Sequence, residues 1–195
     1  MTAELLSGCV IVSGMPGAGK TTLTSLAARL LPRAARVGGD DVNQMVCSGY
    51  VWFMGKPAHE ALRQDELCNR NMCSLTNNFI DFGFTVLMDT VVADRAELDF
   101  FLALLSPRPV RLVILAPGID ACRERNRDRK NQFDFDGYDR LDADMSREFA
   151  DCAWRFDTAA LTAEQTAERF AAEAAARAVP LKPAWNAWLR QLHGE

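Results

Sequence analysis

Hydrophobic positions along the chain fall into two alternating kinds of segment. Residues 9–13, Cys-Val-Ile-Val-Ser, are a short apolar run ending at Gly14, the pattern of a strand buried on both faces. Directly after it, Leu23, Leu26, Ala27, Leu30 and Leu31 recur at three- and four-residue spacing until Pro32, which predicts an amphipathic helix stopped by proline. The alternation continues. Residues 35–38 read as a weaker strand leading into Asp40 and Asp41, and 42–82 as mainly helical with a break around Gly49, Gly55 and Pro57. Gly83 is placed as that helix's C-cap. Residues 85–88 (Thr-Val-Leu-Met) predict a strand ending at Asp89, 94–105 a helix punctuated by Pro107 and Pro109, and 111–115 another strand. A charged, helix-like stretch at 120–130 and a polar segment at 131–139 precede a last strand candidate at 153–156. Thr162 and Gln165 match a capping box that opens an alanine-rich helix to about residue 178.

Strands that are near-continuous apolar runs, separated by helices, argue a parallel sheet covered on both faces. The expected fold is α/β: a three-layer, doubly wound parallel sheet of about five strands. With 195 residues, one domain is the expectation, spanning 1–179. Residues 180–195 read as a tail whose Trp185, Trp188, Leu189 and Leu192 stripe packs on the same domain, with a homodimer contact as the alternative.

Composition narrows the function classes. Twenty-two Lys and Arg against 26 Asp and Glu give a net charge of −4, which counts against a nucleic-acid binder. No apolar run is long enough for a membrane helix, and residues 9–13 lack a basic leader, so a cytoplasmic protein with no membrane partner is expected. The six cysteines are spread without a C-x-x-C pair, and neither His59 nor His193 neighbours a cysteine pair. Reduced thiols are therefore expected, and no structural zinc.

The chemistry concentrates after the first strand. Residues 14–21, Gly-Met-Pro-Gly-Ala-Gly-Lys-Thr, satisfy G-x-x-x-x-G-K-[ST] between a predicted strand and a predicted helix. Glycines let backbone N–H groups close around a phosphate, and the helix adds its positive end. Gly14, Gly17, Ala18, Gly19, Lys20, Thr21 and Thr22 are thus expected to bind a nucleoside triphosphate. Lys20 would reach the β- and γ-phosphates and the Thr21 hydroxyl would hold Mg²⁺.

In such sheets ligands bind beyond the carboxyl ends of the strands, where Asp40, Asp41 and Asp89 fall. Transfer to a hydroxyl needs one carboxylate to take the proton and another to hold Mg²⁺. Asp40 is assigned as base, with Asp41 kept open for that role and a helix-capping role as the pair's alternative. Asp89 is assigned to the metal or to substrate orientation, the alternative being a turn residue. Arg125 and Arg129 stand four residues apart and share a helix face; on a closing lid they would bracket the moving phosphoryl group. A solvated, charge-balanced face is the plainer reading. The polar segment that follows lacks the glutamate that ends a calcium-binding loop.

These segments together resemble the small P-loop kinases of the group that includes chloramphenicol phosphotransferase, tunicamycin-resistance proteins and the polynucleotide 5′-kinase domain. The resemblance runs from about residue 9 to residue 170 and rests on GMPGAGKTT, GGDD, GFTVLMDTVV, VILAPGIDACRERNRDR and FDTAALTAEQTAERF. It implies a five-stranded parallel core, a short lid near 118–145, ATP and Mg²⁺. It puts Asp40 on the hydroxyl-activating position, Arg125 and Arg129 on the lid, and Thr158 and Ala159 beside the adenine. Asn43 stands where 5′-end kinases have an arginine, and Thr21-Thr22 departs from adenylate-kinase-like loops. Residues 50–78 fall where such kinases build the acceptor pocket and mix Trp52, Phe53, Met54, His59, Arg63 and Arg70, with Phe79 directly after. Taken singly, Trp52, Phe53 and Leu62 are expected to pack inward. The expected activity is transfer of the γ-phosphoryl group of ATP to a hydroxyl of a small molecule. The alternatives are a polynucleotide, nucleoside or nucleotide kinase, or a non-catalytic nucleotide switch.

Overall fold

The computed structural model describes residues 6–127 and 137–181. Trp185, Trp188, Leu189 and Leu192 of the expected tail, and Arg129, lie outside the described residues.

Each expected strand forms. β1 (Cys9–Gly14), β2 (Ala34–Gly38), β3 (Thr85–Asp89), β4 (Val110–Ala116) and β5 (Ala153–Asp157) make one parallel sheet in the order β2-β3-β1-β4-β5. Central β1 and β3 are buried at every position, which is why they read as unbroken apolar runs. Strand order reverses at β1, since the chain steps to one side for β2 and β3 and to the other for β4 and β5. The crevice beyond the carboxyl ends at that reversal is where such a sheet receives ligands.

Helices α1 (Lys20–Leu30), α3 (Ala58–Asp81), α4 (Arg95–Leu105) and α7 (Ala163–Arg177) cover the faces. One core runs from Ile11, Leu87 and Leu112 in the sheet to Leu23, Met72, Phe101 and Phe170 on the helices. Gly83 (φ +79°) turns the chain just past α3, one residue after the C-cap Phe82. Its N–H donates to the Ile80 carbonyl at 2.9 Å and the Phe84 N–H to Phe79 at 3.0 Å, with the Phe79 and Phe84 rings 5.9 Å apart. The Thr162–Gln165 capping box forms in full. Among the described residues no helix is long and apolar enough to cross a membrane.

Three local readings change. The short α2 (Gly39–Asn43) begins before residue 42, so Asp40 and Asp41 lie inside its first turn, and Gly38 rather than either aspartate is the N-cap. Residues 44–57 form a longer break than the glycines mark. A helix not foreseen, α6 (Tyr138–Glu148), packs through Leu141 and Met145, with Phe149 just after it. Those three residues repeat every four positions within an otherwise charged stretch.

Candidate active site

The chain leaves β1 at Gly14 and enters α1 at Lys20, and positive φ angles at Gly14 (+140°), Gly17 (+88°) and Gly19 (+97°) fold the loop back on itself. A side chain at Gly14 would stand 2.8 Å from the Leu115 carbonyl oxygen. The Ala18 N–H closes the loop onto Met15 O at 3.0 Å, and Met15 and Ala18 are buried. The Lys20 ammonium donates to the carbonyls of Gly14 (3.0 Å) and Met15 (3.2 Å), so it is drawn over the loop instead of extending into solvent. Thr21 and Thr22 stand exposed in the first turn of α1.

Asp89 ends β3, one strand from the loop and level with Val12 of β1 and Gly38 of β2. It is buried and takes a 3.3 Å bond from Arg36 Nη1. Burial pushes its carboxyl above the usual range, against the downward pull of a hydrogen bond with Thr21 and of nearby Lys20 and Arg36. Asp40 adds a like-charge push. Arg36 also grips Asp41 across Gly38. Of the two adjacent aspartates, Asp41 is therefore committed to an ion pair. The exposed Asp40 carboxylate has no hydrogen bond or ion pair among the described residues and bears on Asp89. Arg36 gave no signal of its own in the sequence, being one arginine in a short strand.

The connection after β3 is held from two sides. The Val92 N–H donates to the Ser13 hydroxyl at 2.8 Å, and the Ala93 N–H to Glu97 Oε2 at 2.8 Å. Asp94 caps α4 by accepting from the Glu97 N–H at 2.9 Å, so Asp94 and Glu97 form a shifted version of the capping box.

α5 (Ile119–Arg127) lies against the glycine loop so closely that a Cβ at Gly17 would overlap the Cys122 carbonyl. One turn on, Arg125 Nη1 stands 3.9 Å from where a Gly19 side chain would begin. Lys20 and Arg125 both bear on the Cys122 thiol, which burial pushes up. Arg125 is thus placed over the loop. Thr158 is buried just after edge strand β5, which β4 separates from β1 and the loop.

On the other flank, α3 presents Asp65, Cys68, Asn69 and Met72, spaced three and four apart. Cys68 Sγ donates to Gly39 O at 3.5 Å, and Asn69 to Asp65 at 3.4 Å. Gln64 pins the preceding loop by donating to Gly49 O and accepting the Val51 N–H, both at 2.8 Å. The expectation that Trp52, Phe53 and Leu62 pack inward fails: all three are exposed, Trp52 and Phe53 on a loop held by Gln64 and a Gly55–Trp52 backbone bond, Leu62 on an outward position of α3.

No curated protein matches the sequence. Among solved structures, the tunicamycin resistance protein of Deinococcus radiodurans is similar at a TM-score of 0.66 and 19% identity, covering 90% of this chain and 99% of that one. A shikimate kinase from Acinetobacter baumannii, in complex with shikimate, matches at 0.55 and 19%, covering 84% and 90%. A gluconokinase from Sinorhizobium meliloti 1021 matches at 0.54 and 14%, covering 88% and 95%. At these identities they establish the fold, which is that of the small P-loop kinases. A family described as AAA domain matches residues 9–150. With its glycine loop between β1 and α1 and its 2-3-1-4-5 sheet, the chain belongs to that AAA domain family and has the fold of the small P-loop kinases.

Proposed function

We propose that the protein is an ATP-dependent phosphotransferase that moves the γ-phosphoryl group to a hydroxyl of a small molecule. The observation that carries this reading is the meeting of four groups at the strand ends: Lys20 over the loop, Thr21 and Asp40 close enough to act on Asp89, and Arg125 across the loop. A nucleotide switch needs the first two; an exposed carboxylate next to them is what a hydroxyl acceptor needs.

The glycine loop and the α1 N-terminus bind the phosphates, and Lys20 exchanges its two carbonyl partners for phosphate oxygens. Thr21 and Asp89 offer the hard oxygen donors that suit Mg²⁺, which when bound would neutralise phosphate charge. Asp40 orients the acceptor hydroxyl and takes its proton as the new O–P bond forms. The bond from the γ-phosphorus to the bridging oxygen breaks, and ADP leaves with that electron pair. Arg125 steadies the equatorial oxygens in transit. Positioning and charge supply most of the acceleration in this class of reaction. Arg129 and Thr158 keep, respectively, the lid and adenine roles that the family resemblance implies.

The test separates binding from transfer. Lys20→Ala should lose both ATP-analogue binding, read as a thermal shift, and ADP release stimulated by acceptor. Asp40→Asn should keep the thermal shift and lose at least about a hundredfold in turnover, the usual scale for a general base. Full turnover by Asp40→Asn removes that residue from the mechanism.

A further inference from the structure

The acceptor side of the site has a charge and shape of its own. Tyr50, Trp52 and Phe53 stand 44%, 43% and 46% exposed. The Trp52 and Phe53 rings meet edge to face at 5.0 Å, and Gln64 holds the loop that carries them onto α3. Asp65 follows Gln64 in sequence and lies one turn before Cys68, whose thiol touches Gly39, the residue preceding Asp40. One turn of helix is about 5 Å. Asp65 therefore stands a short molecule's length from the Asp40 backbone, under an aromatic loop.

Three arginines of this flank are paired with neighbours. Arg36 holds Asp41 and Asp89, Arg63 pairs with Glu60 at 3.2 Å, and Arg70 pairs with Glu66 at 2.7 Å. Lys56 and His59 are exposed where the loop meets α3. An anionic acceptor would meet the like charges of Asp40 and Asp65, and among the described residues of α3 and its preceding loop the arginines are already paired. An ammonium group beside a flat apolar body meets the reverse: a carboxylate for its charge and exposed rings for its face.

Resting on the phosphotransferase reading above, we propose that the acceptor is an amino alcohol with a flat apolar face: its ammonium group pairs with Asp65, its apolar face lies on Tyr50 and Trp52, and its hydroxyl points to Asp40. Burial pushes the Asp65 carboxyl up; burial first, and then the charges of Asp40 and Asp65, push up the Tyr50 phenol, and a cation between them would offset those charges.

Three probes share one scaffold and differ only in charge: 2-amino-1-phenylethanol, 1-phenylethane-1,2-diol and mandelate. Each is titrated by ligand-observed NMR into the full chain with Mg²⁺ and a non-hydrolysable ATP analogue. The ammonium probe should bind on the order of tenfold tighter than the diol, with mandelate weakest. Asp65→Asn should erase that ranking, and Trp52→Ala, at an exposed site, should weaken all three alike. Retention of the analogue's thermal shift shows that each variant is folded. Mandelate binding as well as the ammonium probe, no binding of the ammonium probe to the wild type, or an unchanged ranking in Asp65→Asn would overturn the proposal. Should Asp65→Asn fail to fold, the wild-type ranking and Trp52→Ala still decide it. Loss of analogue binding by the wild type would instead sink the phosphotransferase reading, a separate outcome.

Discussion

Glu97 gives the sharpest quantitative expectation outside the reacting groups. It sits in the first turn of α4, accepts the Ala93 N–H at 2.8 Å, and faces Asp65 and Asp94. Its carboxyl is pushed up to about 7 from an ordinary 4.5, chiefly by burial. The backbone bond opposes that push, while Asp65 and Asp94 add to it. A raised carboxyl in the folded state means that folding takes up a proton between those two values. Stability is therefore lost as pH climbs from about 4.5 towards 7, and the full cost is present above 7. At about 1.4 kcal/mol per pH unit, the cost comes to roughly 3 kcal/mol.

Glu97→Gln removes the charge and keeps a side-chain oxygen for the Ala93 N–H. The variant should match the wild type near pH 4 and exceed it by about 3 kcal/mol at pH 8. Urea unfolding at a series of pH values reads this as a difference in midpoint at constant slope. Subtracting the two curves cancels the other carboxylates, which titrate in both proteins. A difference that stays flat across pH 4 to 8, or that favours the wild type at high pH, would show that Glu97 is not held at a cost.

Two further outcomes probe the loop and the metal ligands. Gly17→Ala forces a side chain onto φ +88° against the Cys122 carbonyl, whereas Gly83→Ala (φ +79°) meets nothing within 4 Å. Denaturant unfolding should show Gly83→Ala losing about 1 kcal/mol, the conformational part alone, and Gly17→Ala clearly more, with α5 displaced from the loop; equal losses would mean that α5 does not press on Gly17. Asp89→Asn should leave analogue binding measurable without Mg²⁺ but largely abolish the tightening that Mg²⁺ brings, on the order of tenfold, by titration calorimetry. An unchanged Mg²⁺ dependence would take Asp89 out of the metal's surroundings.

The parts legible in the sequence are those whose physics is local. An apolar run buried on both faces has to look like β1 or β3, and a loop that turns on three left-handed residues has to spend glycines at 14, 17 and 19. The 162–165 capping box is local too, and it formed as read. What stayed hidden depends on partners far along the chain. Arg36 matters because β3 brings Asp89 beside it, fifty-three residues later. Asp65 and Glu97 look like ordinary surface acids until α3 and α4 meet. The anchors of α6 carried a fair four-residue period, outvoted by the charges around them. Trp52 and Phe53 misled for the opposite reason: aromatic type argues burial, and only the bonds of Gln64 and Gly55 reveal how the loop that leaves them exposed is held.

Arg36 explains why the site can tell two adjacent aspartates apart. A doubled acid after a strand offers two carboxylates, and both ionised side by side would raise each other's proton affinity. Arg36 reaches over Gly38 to Asp41 and along the sheet to Asp89, neutralising one acid and steadying the other. Asp40 is left exposed, with Thr21 and Lys20 already engaged at Asp89. A methionine at position 36 would keep the bulk and release Asp41 and Asp89 together. Asp41 would then lose its ion pair and Asp89 one of its cations, so more negative charge would crowd the acceptor hydroxyl and the γ-phosphate, and acceptor-stimulated ADP release should fall while ATP-analogue binding persists. Turnover unmoved by Arg36→Met would mean that Asp40 owes nothing to that arginine.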